Sequence, residues 1–448
     1  MHKKLQKNIF ILTLPIFIEL TFFILMGSVD TIMISNYEKV NSFAYGSVAA
    51  VGNASTVINL FGVLLNVVST GISVVVSQYL GAKKESDAKK TILTGIILQF
   101  FIGLLIASSL LLLGNALFRL IGTPEEIVQL SYKYLFFTAI SLLFVSISNA
   151  ISASLRSYGR TTEVMITVIV ANIFNIVFNF IFIYGYFGVP ELGIAGAALS
   201  TMLMRFMTMM VSFILLRKLI GLSIFKLEFH ITYMQKILKV GVPSALENMT
   251  YNVLQFVILS FVNKLGTEMI TARTYINTML SYIYLFSAAF ASANAIITGY
   301  YIGEEDNIGA YKNTIKTTIY TLLIVSTAVI MVNLLSTPIA NFFTKDALII
   351  KTVKQVLMFA IILEVGRVLN LVIIQSLRAT GDTTFPLVMA IFSMLGIGIT
   401  GAYLYSNVLG LGLLGIYLGL ATEELFRGLV MTHRWLSKAW VNKSLIRG

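Results

Sequence analysis

Hydrophobic residues in this chain occur in long runs separated by short polar breaks. A helix of about 20 residues crosses the ~30 Å hydrocarbon core of a bilayer, and each run reaches that length. The breaks define twelve predicted helices, with approximate limits 8–35, 47–79, 91–118, 126–154, 162–187, 193–216, 239–263, 269–301, 313–337, 347–377, 385–407 and 412–435. The pattern predicts an all-α polytopic membrane protein with twelve transmembrane helices.

The two halves of the chain repeat each other. Pro15 precedes Glu19 by four residues, and Pro243 precedes Glu247 by the same spacing. The stretches SLRSYGRTTEV and SLRATGDTTFP correspond at an offset of 222 residues, and SQYLGAKKESDAKKT matches TGYYIGEEDNIGAYKNT at the same offset. Six helices in each half give both halves the same orientation in the membrane. The repeats therefore predict two pseudo-symmetric six-helix lobes related by an axis along the membrane normal.

The longest polar connection separates these lobes. We predict an amino-terminal lobe over 1–217, a cytoplasmic linker over 218–238 and a carboxy-terminal lobe over 239–448. Lysines among apolar residues in the linker are typical of a helix on the membrane surface, and a solvated loop is the alternative. With the amino terminus in the cytoplasm, 22 Lys and Arg fall in cytoplasmic segments and 8 in external ones. Positive residues concentrate on the cytoplasmic side, so we expect a multi-pass protein of the cell membrane with both termini cytoplasmic.

Composition agrees with this assignment. The chain is 57% hydrophobic and 12% charged, and a soluble protein carries about twice that charged fraction. Because the +12 net charge lies mostly in short loops, we expect contact with membrane lipid and not with nucleic acid. The absence of Cys excludes disulfides and thiolate sites. All three His residues are peripheral and the loops are short, which argues against a membrane-embedded enzyme.

Two carboxyl groups lie within the first predicted helix. A charge at the bilayer centre costs at least ~2.5 kcal/mol. Glu19 and Asp30 are eleven residues apart, which places both on one helix face. That face must contact protein or water and not lipid. Pro15 lies in the same helix and predicts a kink near Glu19, so Pro15 and Glu19 are gating or substrate-cavity candidates.

Polar residues on helices 5 and 6 lie at a depth similar to that of Asp30. Asn172, Asn175 and Asn179 share one face of helix 5, and Thr201 follows on helix 6. Asp30, Asn179 and Thr201 lie about 8–12 Å below the outer helix ends. Carboxylate, amide and hydroxyl oxygens are ligands that hard cations such as Na⁺ prefer. Two alternatives stay open: the carboxylate takes a proton, or the polar groups only join the helices.

The carboxy-terminal half does not repeat this arrangement. By the Pro15/Pro243 offset, Ile258 occupies the position of Asp30. Three charged residues of this half are substrate-cavity or gating candidates. Glu247 lies on helix 7, and Glu364 and Arg367 lie one turn apart on helix 10. We interpret these two as an ion pair, with substrate or proton binding as the alternative. Helix 12 offers similar pairs between Arg427 and the two glutamates preceding it by three and four residues.

One local signal predicts where helix 4 begins. Thr123 is a candidate N-cap, Pro124 suits the first helical position, and Glu126 completes a capping box.

With these residues assembled, the chain resembles the multidrug and toxic compound extrusion (MATE) family over nearly its full length. The supporting stretches are LPIFIELTFFILMGSVDTIMIS, GISVVVSQYLGAKKESDAKKT, SLRSYGRTTEVMITVIVANIFNIVFNFIFIYG, LGIAGAALSTMLMR and SLRATGDTTFP. The resemblance implies a V-shaped pair of six-helix lobes that exports organic, often cationic, compounds in exchange for Na⁺ or H⁺.

The resemblance also implies an amino-lobe cation site. Its central carboxylate would be Asp30, with oxygens from Asn175 and Asn179 and with Ala197 (backbone) and Thr201 on helix 6. Some members have an acid where Asn179 stands, so this site carries one charge fewer. One branch of the family also has carboxylates on helices 7 and 10. In this chain the matching positions hold Tyr251 and Arg367, which suggests that the chain belongs to a different branch.

We therefore predict secondary active multidrug efflux, with organic cations or amphipaths exported in antiport with Na⁺ or H⁺ by alternating access of the two lobes. No cofactor is expected beyond the coupling ion, and we expect a monomer. A dedicated exporter or flippase of a lipid-linked or natural-product substrate is the alternative, and a membrane-embedded enzyme is a more remote one.

Overall fold

A computed structural model describes residues 8–40, 46–222 and 228–446. Within these ranges the chain forms twelve long helices and no strand. They are α1 (Phe10–Val40), α2 (Ser47–Gly81), α3 (Glu85–Leu120), α4 (Glu125–Ser157), α5 (Thr161–Tyr184), α6 (Ile194–Ile220), α7 (Ile231–Asn263), α8 (Thr267–Gly303), α9 (Asn307–Leu334), α10 (Ala347–Thr380), α11 (Thr384–Val408) and α12 (Gly412–Leu436). A short helix, Ser336–Phe343, lies between α9 and α10. The predicted all-α architecture is confirmed.

Ten of the described helices are long and apolar enough to cross a membrane. The two others are α7 and α12, which the sequence also predicted as spans. Both contain intramembrane charges, Glu247 in α7 and the Glu423, Glu424 and Arg427 group in α12, and these lower their apolar character. Large apolar side chains project from the helix surfaces; Leu112 is 82% exposed and Phe256 is 75% exposed. Such exposure is typical of helices surrounded by lipid.

One compact unit comprises Ile18–Val76 and Glu85–Gly241. In this unit, hereafter the amino unit, α4 packs against α3 and α6, and α5 packs against α6. A continuous core of buried aliphatic and aromatic residues runs between these helices, with Leu110, Leu135 and Ala198 fully buried. Gly196 allows α5 and α6 to approach closely, since a Cβ there would lie 2.4 Å from the Phe182 carbonyl oxygen.

The other compact unit comprises Met1–Phe17, Ser77–Lys84 and Val242–Gly448. In this carboxy unit, α10 packs against α8, α9 and α12. α11 contains two π-helical segments, Phe392–Gly398 and Leu404–Val408. Trp435, in the last turn of α12, stacks on Trp440, which follows the helix; both are buried, with ring centroids 4.4 Å apart.

The boundaries of these units fall inside α1 and α7, close to the two repeated prolines. In α1 the boundary lies at Phe17/Ile18, after Pro15, and in α7 it lies at Gly241/Val242, before Pro243. Both helices continue through their proline. A third boundary, at Val76/Ser77, falls inside α2, so the amino half has two divided helices and the carboxy half has one.

One local expectation is not met, and a second lies partly outside the described residues. α4 begins at Glu125 with Pro124 as N-cap and no side-chain cap bond, and the Thr123 hydroxyl is buried without a hydrogen-bond partner. The predicted capping box is therefore wrong. In the predicted linker, α6 ends at Ile220 and α7 begins at Ile231. Residues 223–227, on which a separate surface helix would lie, are outside the described ranges.

Candidate functional site

The carboxyl group of Asp30 lies against α5 in the amino unit. Its Oδ1 accepts a hydrogen bond from Asn179 Nδ2 at 2.5 Å. No arginine or lysine among the described residues lies within 4.0 Å of Asp30, whereas the other buried carboxylates of the helix interiors all have such a partner. Asp30 is half-buried. In the described structure this carboxylate therefore faces the helix 5 asparagines and is not held in an ion pair.

The sequence-predicted oxygens gather around this carboxylate. Asn179 Nδ2 also lies 3.1 Å from Asn175 Oδ1, and Asn175 Nδ2 lies 3.5 Å from Thr201 Oγ1. Ala197 is buried on α6 one turn before Thr201. Ser200, which the sequence analysis did not select, donates to the Asn175 carbonyl at 3.0 Å. Hydrogen bonds thus link four of the predicted site residues, Asp30, Asn179, Asn175 and Thr201, and the fifth, Ala197, lies one turn from Thr201 on α6.

One acceptor in this group has no donor. Asn179 is fully buried, and its Oδ1 makes no hydrogen bond within the described structure. An unpaired buried carbonyl oxygen costs free energy, about 1–3 kcal/mol. A cation or a protonated group beside it would remove that cost. The donor set of one carboxylate with neutral amide and hydroxyl oxygens fits Na⁺, and the same carboxylate can hold a proton.

Several hydrogen bonds tie α1 to α5 along this face. Asn172 Nδ2 donates to the Phe22 carbonyl at 3.2 Å, and the Tyr184 hydroxyl donates to the Met33 carbonyl at 3.1 Å. The Asn179–Asp30 bond lies between them. Because Asp30 supplies the central contact, a ligand on its carboxylate acts directly on the packing of α1 against α5.

The remaining gating candidates form ion pairs that are repeated in the two units. Glu19 accepts from Arg156 Nη2 in the amino unit, and Glu247 accepts from Arg378 Nη2 at 2.6 Å in the carboxy unit. Both glutamates follow their proline by four residues, and both arginines lie in the repeated SLR stretch, 222 residues apart. Sequence reasoning missed these pairs, although the two repeats that contain them were both visible.

The two pairs differ in their surroundings. Glu247 also lies 3.7 Å from Arg427, whereas Glu19 Oε2 is buried without a partner. The side chain of Arg156 is 29% exposed and that of Arg378 is 9% exposed. The carboxy-unit pair is therefore the more deeply buried and the more highly connected.

Glu247 belongs to a larger buried network in the carboxy unit. The predicted pairs Glu364–Arg367 and Arg427 with Glu423 and Glu424 form, the latter at 2.8 and 3.1 Å. Further side chains join it: Asn370 donates to Glu424 at 2.6 Å, Ser393 donates to Glu423 at 2.7 Å, and Arg367 lies 4.0 Å from Glu424. Four glutamates in this network face three arginines.

These contacts change the charge count of the membrane interior. Counting only charges within predicted helix interiors gives six acids and three bases. Arg156 and Arg378 raise the bases to five, because the structure pairs them with intramembrane glutamates. The excess falls from −3 to −1, and it lies in the carboxy-unit network. The helix interiors therefore carry an excess of only one negative charge, which by itself gives little preference for cationic substrates.

Comparisons with known proteins agree with this architecture. The MatE family model matches residues 15–181 and 243–404, one segment in each half of the repeat. The uncharacterized transporter YisQ of Bacillus subtilis is 34% identical over 441 residues, covering 98% of this chain and 96% of that protein. The probable multidrug resistance protein NorM of Thermotoga maritima is 27% identical, with coverage of 99% and 95%.

Solved structures show the same fold. The structure of MATE in the bent conformation superimposes with a TM-score of 0.88 at 20% identity, covering 99% of both chains. A MOP superfamily transporter from Pyrococcus furiosus gives a TM-score of 0.86 at 21% identity, covering 97% of this chain and 96% of that one. The family consists of transporters and not enzymes, which agrees with the sequence prediction. The chain belongs to the MATE family of multidrug and toxic compound transporters.

Proposed function

We propose that this transporter exports organic compounds, mainly cationic or amphipathic, in antiport with a monovalent cation that binds at Asp30. The single observation that carries this proposal is the environment of that carboxylate. Five other interior carboxyl groups accept from an arginine, whereas Asp30 accepts from the amide of Asn179. A carboxylate in a membrane segment needs a counter-charge or a proton, and Asp30 has neither in direct contact.

Asn179 supplies a means of coupling. In the structure its Nδ2 donates to Asp30 Oδ1, and its own Oδ1 has no donor. Na⁺ or H⁺ on the same carboxylate oxygen displaces that N–H. Turning the amide over then directs the unpartnered oxygen toward the cation. Cation binding thus exchanges a hydrogen bond between α1 and α5 for a cation contact, and this alters how α1 is held.

Alternating access requires that cation and substrate favour different states of the transporter. The hinge points that we assign are Pro15 and Pro243, because each lacks the backbone N–H that would complete the helix, and each lies within three residues of a unit boundary. In this proposal, binding of the cation from outside weakens substrate binding, and release of the cation inside resets the cycle. Glu19 and Glu247, one turn beyond the prolines, hold the two hinge helices through their arginines.

The proposal includes the membrane context. The transporter lies in the cell membrane with both termini in the cytoplasm, as the distribution of Lys and Arg predicts. It acts as a monomer on small-molecule substrates, in contact with lipid and without nucleic acid. The coupling ion is its only bound inorganic partner.

The test is dye efflux from proteoliposomes under an imposed Na⁺ gradient and, separately, an imposed pH gradient. The wild-type protein should extrude a fluorescent organic cation under one of these gradients. Asp30→Asn should abolish gradient-driven efflux while the protein remains folded and inserted. Glu268→Gln is the matched control, since it also removes one carboxylate but at an exposed position in the first turn of α8; it should extrude dye normally.

Dye extruded against its gradient by the Asp30→Asn variant would refute the assignment of the site. Wild-type protein that moves no organic cation under either gradient, but transports a lipid-linked or single natural-product substrate, would favour the dedicated exporter or flippase over multidrug efflux.

A further inference from the structure

Arg205 is an intramembrane cation that has no ion-pair partner among the described residues. It lies on α6, one turn after Thr201, and its Nη1 donates to Ser141 Oγ on α4 at 2.7 Å. Within the described ranges no carboxylate oxygen lies within 4.0 Å of it, unlike the arginines of the carboxy-unit network. Ser141 is fully buried. The guanidinium is therefore held by a neutral hydroxyl, which fixes its position and leaves its charge uncompensated.

Asp30 is the carboxylate that interacts electrostatically with this guanidinium. Arg205, Tyr134 and Asp30 are close enough to interact electrostatically with one another. The connection is also visible in the contacts: Thr201, about 6 Å further along α6, reaches Asp30 through the two asparagines. Asp30 and Arg205 are thus a carboxylate and a cation near the same polar segment without direct contact.

A fixed positive charge near a cation site lowers the affinity of that site. Both this repulsion and the attraction to Asp30 grow with the charge of the ion. Because Asp30 and Arg205 together carry no net charge, a bound divalent ion leaves twice as much uncompensated charge in the membrane interior as a monovalent ion does. The site also lacks a second acid, because the neutral Asn179 stands beside Asp30. Reduced affinity has a use in a transporter, since the ion must leave as well as bind.

We propose that Arg205 is the specificity-determining residue of the Asp30 site, a tethered internal cation that keeps binding of a monovalent ion weak and excludes divalent ions. This inference rests on the proposed function, because it presupposes that Asp30 binds the coupling cation. Arg205 acts on the ion through its charge and is not itself a ligand.

The test is binding of ²²Na⁺ to purified protein, with Ca²⁺ as the divalent competitor. Removing the charge in Arg205→Gln should tighten Na⁺ binding. The expected change in the dissociation constant is about tenfold, the order that follows from removing one unit charge near a partly desolvated site. The same variant should let Ca²⁺ displace Na⁺, whereas Ca²⁺ should not displace Na⁺ from the wild-type protein. Arg205→Lys keeps the charge and should bind like wild type. Arg205→Met is made in parallel, because apolar and polar replacements of an internal ion differ in how well they fold.

If the coupling ion is H⁺, the same variants are read by infrared titration of the carboxyl C=O band that Asp30→Asn removes. In both charge-removing variants, which keep Tyr134 and Asp30 in the sequence, this band should persist to a pH about one unit higher than in wild type. Arg205→Lys should again match wild type.

The outcomes separate the two proposals. Wild-type protein with neither Asp30-dependent Na⁺ binding nor the Asp30 band would remove the proposed function itself. Asp30-dependent binding that is equal or weaker in Arg205→Gln and Arg205→Met would overturn the role of Arg205 and leave the site standing. An Arg205→Lys variant that behaves like the charge-removing variants would show that guanidinium packing, and not charge, governs the site.

Discussion

Replacing Glu247 by Gln should destabilise the carboxy unit strongly. The carboxylate lies 2.6 Å from Arg378 and 3.7 Å from Arg427, and the side chains of all three are at most 10% exposed. Removing one member of a buried ion pair leaves the remaining charge without compensation and costs about 3–5 kcal/mol. Here Arg378 loses its counter-charge, whereas Arg427 keeps Glu423 and Glu424, so the full range applies to one orphaned guanidinium.

The two tryptophans make this change measurable. The chain contains only Trp435 and Trp440, and both are buried in the carboxy unit. Intrinsic fluorescence of the detergent-solubilised protein therefore follows that unit. For a unit of about 200 residues, 1 kcal/mol corresponds to roughly 2–4 °C, so Glu247→Gln should lower the midpoint of the fluorescence transition by roughly 6–20 °C.

The repeat supplies the matched comparison. Glu19→Gln removes the equivalent carboxylate in the amino unit, where it has a single partner, Arg156, whose side chain is 29% exposed. Water can solvate that guanidinium, so the fall in the midpoint should be clearly smaller. Because both tryptophans lie in the carboxy unit, the midpoints of these two variants are compared by the circular dichroism of the helices, which follows both units. Replacing both Glu247 and Arg378 by neutral residues should recover part of the loss, because one orphaned cation is gone. The reasoning is refuted if Glu247→Gln shifts the midpoint by less than about 2 °C, within the range of an ordinary surface change, or if Glu19→Gln shifts it more.

Two further predictions concern the end of α2. Gly81→Ala should lower the midpoint of the same transition, because a Cβ there would lie 2.2 Å from the carbonyl oxygen of Tyr300 on α8. Gly52→Ala is the control on the same helix and should leave the midpoint unchanged, because a Cβ there would have no atom within 4 Å. Equal shifts for the two variants would contradict this packing. Gln78→Leu should make the last residues of the chain sensitive to protease, because the fully buried Gln78 side chain accepts from the Leu445 backbone N–H at 3.0 Å. An unchanged digestion pattern would show that this contact does not hold the carboxy terminus.

Much of this architecture can be predicted from sequence because the information is local. A long apolar run defines a membrane helix without reference to any other part of the chain. The period of 3.6 residues places Asn172, Asn175 and Asn179 on one face, and all three are buried in the structure. Ion pairs at a spacing of three or four residues, such as Glu364 with Arg367, need no knowledge of the tertiary fold.

The remaining features depend on contacts between distant segments. Glu19 and Arg156 are 137 residues apart, and no local pattern pairs them. The repeat could have indicated this pair, because it aligns Glu19 with Glu247 and Arg156 with Arg378. The orphaned Asn179 oxygen also could not be foreseen, since it depends on how one amide is oriented among its neighbours. Thr123 had the sequence of an N-cap, yet the helix begins two residues later without its hydroxyl.

The central claim is that Asp30 carries the coupling cation and that this cation and the exported compound compete. The most direct measurement is cation release when substrate is added to purified protein, followed as displaced ²²Na⁺ or as protons liberated into a weakly buffered solution. Wild type should release about one cation per chain, since the two ligands favour different states, and Asp30→Asn should release none. Equal release from both proteins, or release of neither ion from wild-type protein that binds the substrate, would contradict the account.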